Sequence, residues 1–170
     1  PLELRVPHAP DYVAALAGMV DASGSFGAAD AFNHSLAVLG LAAAGETIPT
    51  ESAAWLESLQ AADGSWDDGF GTTGNADATA MAIMALLAAG RSADDVSVAA
   101  AAGFLAGAQV DGGGWAYGAG LPASASSTAL VIQAIVALGE DPAATATRWA
   151  RDGQSPLDAL LRFQSESGAF

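Results

Sequence analysis

Polar side chains that could bind a small molecule are concentrated at the starts of three apolar helix-like segments. They are Asp30, Asn33 and His34, then Phe70, Asn75 and Asp77, and finally Tyr117, Ser124 and Ser126. A polar rim with a few aromatics over an apolar floor is the usual composition of a small-molecule site. We expect this set, which offers no nucleophile, base or metal cage, to bind without turnover. The alternative is that these residues only cap helices and that His34 is a structural histidine.

Metal and cofactor chemistry has little support in the sequence. Three aspartates form an oxygen-rich cluster at Asp63, Asp67 and Asp68. Its spacing is similar to the start of a calcium loop, but the glycine is displaced and the closing glutamate is missing, so Ca²⁺ is only the alternative to an empty cluster. The absence of cysteine excludes thiolate zinc sites, and the only histidines are His8 and His34. Residues 69–74 match G-x-G-x-x-G, but no strand precedes them, so we expect no dinucleotide or other cofactor.

Composition limits the partners of the chain. It has 170 residues, 52 % of them hydrophobic, and a net charge of −14 from 19 acidic residues and 5 arginines. Nucleic acid and anionic membranes are poor partners for such a charge. The longest apolar run, 78–89, is shorter than the roughly 20 residues that span a bilayer, so no membrane span is expected. An acidic chain without lysine or cysteine fits a secreted or surface protein.

One seven-residue frame recurs along the chain. It begins with Gln, has Gly at its fifth position and ends with Trp or Phe: Gln60, Gly64 and Trp66; Gln109, Gly113 and Trp115; Gln164, Gly168 and Phe170. A fourth copy at 20–26 has Val in place of Gln. Helix-like segments follow Phe26, Trp66 and Trp115, and they end at Gly45, Gly90 and Gly139. We expect each turn to be a structural clamp, in which the Gln amide satisfies helix-end groups and the aromatic ring covers the joint.

Apolar periodicity predicts helices on both sides of each turn, and no segment alternates as a strand would. The segments 78–89, capped by Asp77, and 128–138 are apolar on nearly every face, so we expect them to lie inside. The amphipathic segments 51–60 and 96–108 are expected to lie outside them. Further helices are predicted from Asp11 to about Met19, from Asp30 to Gly45, from Asp141 to Arg151 and from Pro156 to Phe163.

The frame Gln-x-x-x-Gly-x-Trp resembles the repeat of the prenyltransferase and squalene-cyclase superfamily, and it is similar to the repeats of transcobalamin-type cobalamin carriers. The resemblance covers nearly the whole chain. It implies an all-α fold of about three to four helical hairpins arranged as an α/α toroid or part of one. We therefore expect residues 1–170 to form a single repeat domain, either an open toroid or a fragment of a longer chain. The fold hosts several unrelated activities, so it says little about function.

Residues 75–80 resemble the Asp-x-Asp-Asp-Thr-Ala motif of class II terpene cyclases, in which the middle aspartate is a proton donor. The middle position survives as Asp77, whereas the first is Asn75 and the last is Ala78. Without flanking carboxylates to tune its acidity, Asp77 is interpreted as a helix cap rather than a catalytic acid. The zinc site of protein prenyltransferases needs a cysteine, which is absent.

The sequence favours a non-catalytic binding or structural module. We expect a hydrophobic or cobalamin-like ligand at the mouth of the toroid, where the rim residues and the loops 67–76 and 116–125 would gather. The alternative is a terpene cyclase or a degenerate subunit of one, and a third hypothesis is a spacer that binds nothing. A further domain or chain that completes the toroid is the other partner that the resemblance implies.

Overall fold

The computed structural model describes residues 11–27, 30–72 and 74–170, and the chain in these ranges is all-α. Its helices are α1 Tyr12–Ala17, α2 Ala31–Ala43, α3 Thr50–Ser58, α4 Ala76–Ala88, α5 Val96–Gly107, α6 Ala125–Ala137 and α7 Pro156–Leu161. These ranges contain no β-strand, and their only β-type hydrogen bonding is in isolated β-bridges. None of the helices described is long and apolar enough to cross a membrane. Residues 1–10, which include His8, lie outside the described residues.

Helices α2, α4 and α6 pack side by side in this order and form what we call the central row. Helix α3 contacts α2 and α4, α5 packs on α4, α7 packs on α6, and α1 packs on α2. Ile83 and Leu86 of α4 are fully buried, which confirms that the segment 78–89 lies inside. The same prediction for 128–138 is wrong in part, because Val136 is 58 % exposed. α4 has a central-row neighbour on both sides, whereas α6 has one only on the side of α4.

Glycine ends the three helices of the central row, as the sequence predicted. Gly45, Gly90 and Gly139 have φ angles of 80°, 90° and 78°, in the left-handed region that side chains other than Gly's rarely adopt. The residue after each glycine donates its N–H to the carbonyl five residues earlier, at 3.0 Å in the case of Glu46 and Leu41. This is the Schellman ending, which satisfies carbonyls that the helix leaves unpaired.

We call 60–66 and 109–115 the complete turns. The glutamine of each complete turn holds two segments together. The Nε2 of Gln60 donates to the carbonyl of Gly64 in its own turn (3.0 Å) and to the carbonyl of Ser97 in the first turn of α5 (2.8 Å). The turn 109–115 repeats both bonds, from Gln109 to the carbonyls of Gly113 (3.1 Å) and Trp149 (2.6 Å). The second acceptor thus lies in a later segment of the chain, not at the end of the preceding helix as we expected.

The tryptophan of each complete turn is fully buried and bonded at two points. The indole Nε1 of Trp66 donates to the carbonyl of Leu56 near the end of α3 (2.8 Å), and its backbone N–H donates to the hydroxyl of Thr79 in α4 (3.1 Å). Trp115 repeats the pattern with the carbonyl of Leu105 (2.7 Å) and the hydroxyl of Thr128 (3.1 Å). Each ring therefore joins a flanking helix to the next helix of the central row.

The helix predicted at 141–151 is wrong, because this segment forms irregular turns. The backbone of this segment bonds a distant turn, because the carbonyl of Trp149 accepts the amide of Gln109. The Trp149 ring is fully buried, and its Nε1 donates to Glu140 at 2.7 Å. The segment therefore completes the clamp of the turn 109–115.

Candidate functional site

Three of the predicted rim residues are the N-caps of the central row. A side-chain oxygen of Asp30 accepts from the N–H of Asn33 (2.8 Å), and the Oδ1 of Asn75 accepts from that of Ala78 (2.8 Å). The hydroxyl of Ser124 accepts in the same way from the N–H of Ser127 at 3.1 Å. Asp30 also accepts from the Asn33 amide at 2.9 Å. The capping role is therefore confirmed for these three positions, which mark the starts of α2, α4 and α6.

Asp77 is not the cap of its helix, which corrects the sequence-based prediction. Asn75 takes that place, and Asp77 lies in the first turn of α4. Its Oδ1 is buried without a hydrogen-bond partner among the described residues. Burial raises the pKa of Asp77, a hydrogen bond with Ser127 opposes that rise, and the nearby charge of Asp68 adds to it. Asp77 thus keeps its proton to higher pH than an ordinary aspartate, and it has one oxygen free to bond a ligand.

Asp68 is the centre of a contact between two loops that the sequence did not reveal. Its Oδ1 accepts from the backbone N–H of Phe70 (2.8 Å) and Thr72 (3.2 Å), and its Oδ2 accepts the hydroxyl of Tyr117. The amide of Asn75 donates to the carbonyl of Tyr117 at 2.9 Å. We call Asp68, Asn75 and Tyr117 the loop latch, because they fasten the loop before α4 to the loop before α6.

The loop latch shifts the pKa of both acidic partners. Burial alone would raise the pKa of Asp68, but the hydrogen bonds from Tyr117 and from the N–H groups of Phe70 and Thr72 bring it below its usual value. The hydrogen bond to Asp68 is the main cause that raises the pKa of Tyr117. An ionised Asp68 beside a protonated Tyr117 is therefore the stable state of the latch at neutral pH.

His34 does not belong to the rim, although it lies near the start of α2. Its ring is fully buried and faces α3, with Nε2 3.0 Å from the carbonyl of Ser52 and the ring centroid 4.4 Å from that of Trp55. Burial is the main cause that lowers the pKa of His34. His34 is therefore a structural residue of the α2–α3 contact, which was the alternative to a ligand-binding role in the sequence analysis. Phe70, by contrast, is 85 % exposed on its loop.

The three aspartates of the calcium alternative do not converge. Asp63 accepts from the N–H and hydroxyl of Ser65 (3.0 and 2.6 Å), and Asp67 accepts from the N–H of Gly69 (2.7 Å). Asp68 is engaged in the loop latch. Across the ranges that the structure describes, no three His, Cys, Asp or Glu side chains are grouped so that they could hold a metal ion. These carboxylates shape turns instead, as short acidic side chains commonly do.

One face of the central row is left uncovered by its helix neighbours. The positions four residues after each cap, His34, Thr79 and Thr128, are fully buried toward the flanking helices and turns. The positions two, nine and thirteen residues after each cap are half-buried or exposed in all three helices. We call these positions the free face: Phe32, Leu39 and Ala43; Asp77, Met84 and Ala88; Ser126, Gln133 and Ala137. Asp77 and Ser126 are the predicted rim residues that share it.

Apart from the free face, a concavity of about 610 Å³ lies between α1 and α2. Leu16, Met19, Phe26 and Leu36 contribute apolar surface to it, and Asp30 and Asn33 lie among its lining residues. The loop before α4 passes close by, because a Cβ atom on Gly69 would lie only 2.4 Å from the Cβ of Asp30. The sequence hypothesis missed Met19 and Leu36, whose exposure follows from the absence of a central-row neighbour on this side of α2.

No protein-family model matches this sequence, and no curated protein matches it either. The molecule combines the internal repeats, the loop latch and the free face. Their chemistry is a locked polar rim beside a mostly apolar surface, with one half-buried carboxyl group that lacks a partner for one oxygen.

Proposed function

We propose that the chain is a non-catalytic binding or structural module of the α/α-toroid type. In this arrangement the central row would line the inside of an arc and α3, α5 and α7 its outside. The proposal is supported by the order of packing along the row and by two turns that repeat the same four hydrogen bonds. We also propose that its repeats are of the prenyltransferase and squalene-cyclase type.

The ligand of this module is a mainly apolar small molecule with a polar end, of the isoprenoid or cobalamin-like class, and it binds on the free face. The observation that carries this assignment is the unpartnered, buried Oδ1 of Asp77, on the same free face as the half-buried apolar side chains of Leu39 and Met84. A buried polar atom without a partner costs free energy that a ligand donor can recover. Apolar surface next to it would contribute by burial.

Binding without turnover follows from the state of the other polar groups. Asp68, Asn75 and Tyr117 are engaged with each other, and Ser124 is engaged as a cap. A general base or nucleophile must be free to reach a substrate atom, and these groups hold loops and helix starts in place. Rim residues that are fixed in this way favour a rigid site, because little conformational freedom is lost when a ligand binds.

A terpene cyclase, or a degenerate subunit of one, is the second candidate, and one observation favours it. The carboxyl of Asp77 has a raised pKa, which is what a proton donor needs. Against it, Asn75 and Ala78 stand where the resembling motif has carboxylates. Formation of a cyclised product from squalene or a prenyl diphosphate separates this candidate from the binding module.

A thermal-shift screen with isoprenoids, cobalamins and Ca²⁺ tests the binding proposal. A ligand at 100 times its Kd should stabilise the protein by about 2.7 kcal/mol. Ser126→Trp would place a bulky ring on the free face at the start of α6, where Ser127 bonds Asp77, and should abolish the shift. Ala99→Trp, at an exposed position of α5, is the matched control and should leave it unchanged. If no compound shifts the transition, or if both variants respond alike, the free face is not the site and the spacer hypothesis gains.

A further inference from the structure

The side of α6 that faces away from α4 repeats a surface that is covered elsewhere in the molecule. In each helix of the central row, the positions 1, 5, 8 and 12 residues after the cap form one stripe. In α2 and α4 the first three positions are buried where the next helix of the row packs: Ala31, Ser35 and Val38; Ala76, Ala80 and Ile83. In α6 the stripe is half-buried or exposed, and it comprises Ala125, Ala129, Ile132 and Val136. The stripe on α6 thus has the form of an interface without its partner.

The last turn, 164–170, has only one of the four hydrogen bonds of a complete clamp within the described ranges. The Nε2 of Gln164 donates to the carbonyl of Gly168 at 2.9 Å, as the glutamines of the complete turns do with their own glycines. Those glutamines also reach a carbonyl 37 or 40 residues further along the chain. Gln164 has no such second acceptor in the described ranges and is exposed. Phe170 is 65 % exposed, whereas Trp66 and Trp115 are fully buried.

These two features lie side by side. Ala125, Ala129, Leu160 and Phe170 line a shared concavity of about 330 Å³, together with Ser126. Helix α6 carries no charged residue, although the whole chain has a net charge of −14. An uncharged, partly exposed helix face on a strongly acidic protein is typical of a surface that is covered by a partner.

We propose that the α6 stripe and the turn 164–170 form a docking edge for a further helical hairpin of the same repeat type. The first helix of the hairpin would pack on the α6 stripe, and the start of its second helix would offer a carbonyl to Gln164. This occupant reproduces the α2–α4 and α4–α6 contacts and the two complete clamps, so each interaction it requires has a counterpart within the molecule.

The contacts also define the chemistry of the hairpin. The faces that α4 and α6 turn toward the preceding helix of the row are built from small residues at positions 3, 7 and 10 after the cap: Ala78, Ala82 and Ala85; Ser127, Val131 and Ala134. A hydroxyl at position 4 accepts the N–H of the aromatic residue in both complete turns. We therefore expect a first helix with small residues on one face and a Thr or Ser near its start.

A second copy of this chain fits the edge less well. Helix α1 and the turn 20–26 precede α2 just as α7 and the turn 164–170 would precede the docked helix. In a copy placed head to tail, α1 and its turn would occupy the space that α7 and its turn already fill. Two chains of charge −14 would also repel each other, most strongly at low salt.

The test extends the full chain with a copy of its own residues 67–115 after Phe170. The appended residues then follow Phe170 as residues 67–115 follow Trp66, so the copied α4 and α5 can supply both the helix face and the carbonyl. Hydrogen exchange of the backbone amides at 125–137 and 164–170 should slow by at least about tenfold, and unfolding should remain a single transition with a higher midpoint. The matched control carries Ala78→Glu and Ala82→Glu in the appended copy only and should show the exchange rates of the unextended chain.

A second variant keeps the test informative if the appended copy fails to fold in the control. Ala129→Glu lies on the half-buried stripe of α6, so the unextended chain should tolerate it, and it should abolish the slowing of exchange in the extended chain. The proposal is overturned if the extension folds as a separate unit and leaves the exchange at the edge unchanged. It is also overturned if the unextended chain forms dimers that protect 125–137, because the occupant is then a second copy.

Discussion

The clamped turns and the free face belong to the same repeats, yet they differ in how strictly their residues are repeated. The turns 60–66 and 109–115 use the same side chains and the same bonds at nearly the same distances. On the free face, the position two residues after the cap is Phe32, Asp77 or Ser126. Where a side chain holds the backbone of two segments, geometry restricts its type. Where no helix packs, the type is free to serve a ligand.

The largest effect that would test this comparison is the loss of a clamp ring. Trp115→Ala should lower the free energy of unfolding by about 3–5 kcal/mol, the range for removal of a buried aromatic ring. Phe170→Ala is the matched change in the incomplete turn and should cost no more than about 0.5 kcal/mol, because that ring is mostly exposed. Urea unfolding measures both. Similar costs for the two variants would mean that the turns are not distinguished by their burial.

A smaller effect is expected for the amide of the clamp. Gln109→Ala leaves the carbonyls of Gly113 and Trp149 without this donor, and it should cost about 1–3 kcal/mol. Gln164→Ala removes a bond within one exposed turn and should change the free energy of unfolding by less than about 0.5 kcal/mol. If Gln109→Ala is as mild as Gln164→Ala, the long-range bond contributes nothing to stability.

The smallest effects should appear around the start of α4, where Asp68 and Asp77 respond to pH in opposite senses. The pKa of Asp68 is lowered in the folded protein, so its contribution is present above its unfolded pKa of about 3.9 and is lost as pH falls through the folded value. The pKa of Asp77 is raised, so the fold loses stability as pH increases from that unfolded value through the folded one.

Urea unfolding between about pH 2.5 and about pH 7 checks these two signs. Asp68→Asn should remove a rise in stability with increasing pH, and Asp77→Asn should remove a fall. Asp67→Asn is a control on the same loop, since this carboxylate accepts only a local N–H at 2.7 Å. Parallel profiles for Asp68→Asn and Asp77→Asn would contradict the opposite environments assigned to the two groups.

The sequence predicted the helices and the turns well because these depend on neighbouring residues. The caps at Asp11 and Asp30 and the glycine endings are decided within a few positions. The cap of α4 was misassigned because Asn75 and Asp77 are both good caps, and the choice is fixed by Tyr117, a residue 42 positions away that accepts the Asn75 amide. The segment 141–151 is likewise held by distant contacts, in which the Trp149 carbonyl accepts the amide of Gln109 and the Trp149 ring lies against that of Trp115.

The candidate site was harder to predict than the fold, again because of distant contacts. His34 directly follows Asn33 in α2, yet its ring faces Ser52 of α3 and does not reach the rim. Asp68 was considered only as a calcium ligand, and nothing near it in the sequence announces its bond to Tyr117. Ser127, the partner of Asp77, lies on the next helix of the row and could be found only in the folded structure.

The most direct test of the central claim, binding without turnover, is product analysis. The wild-type protein and Asp77→Asn would be incubated separately with squalene and with a prenyl diphosphate, at the pH where the thermal shift is largest, and the extracts compared by mass spectrometry. We expect both proteins to return the compound unchanged, with Asp77→Asn binding it more weakly. A cyclised product that forms with the wild type and disappears with Asp77→Asn would contradict the account and make Asp77 a catalytic acid.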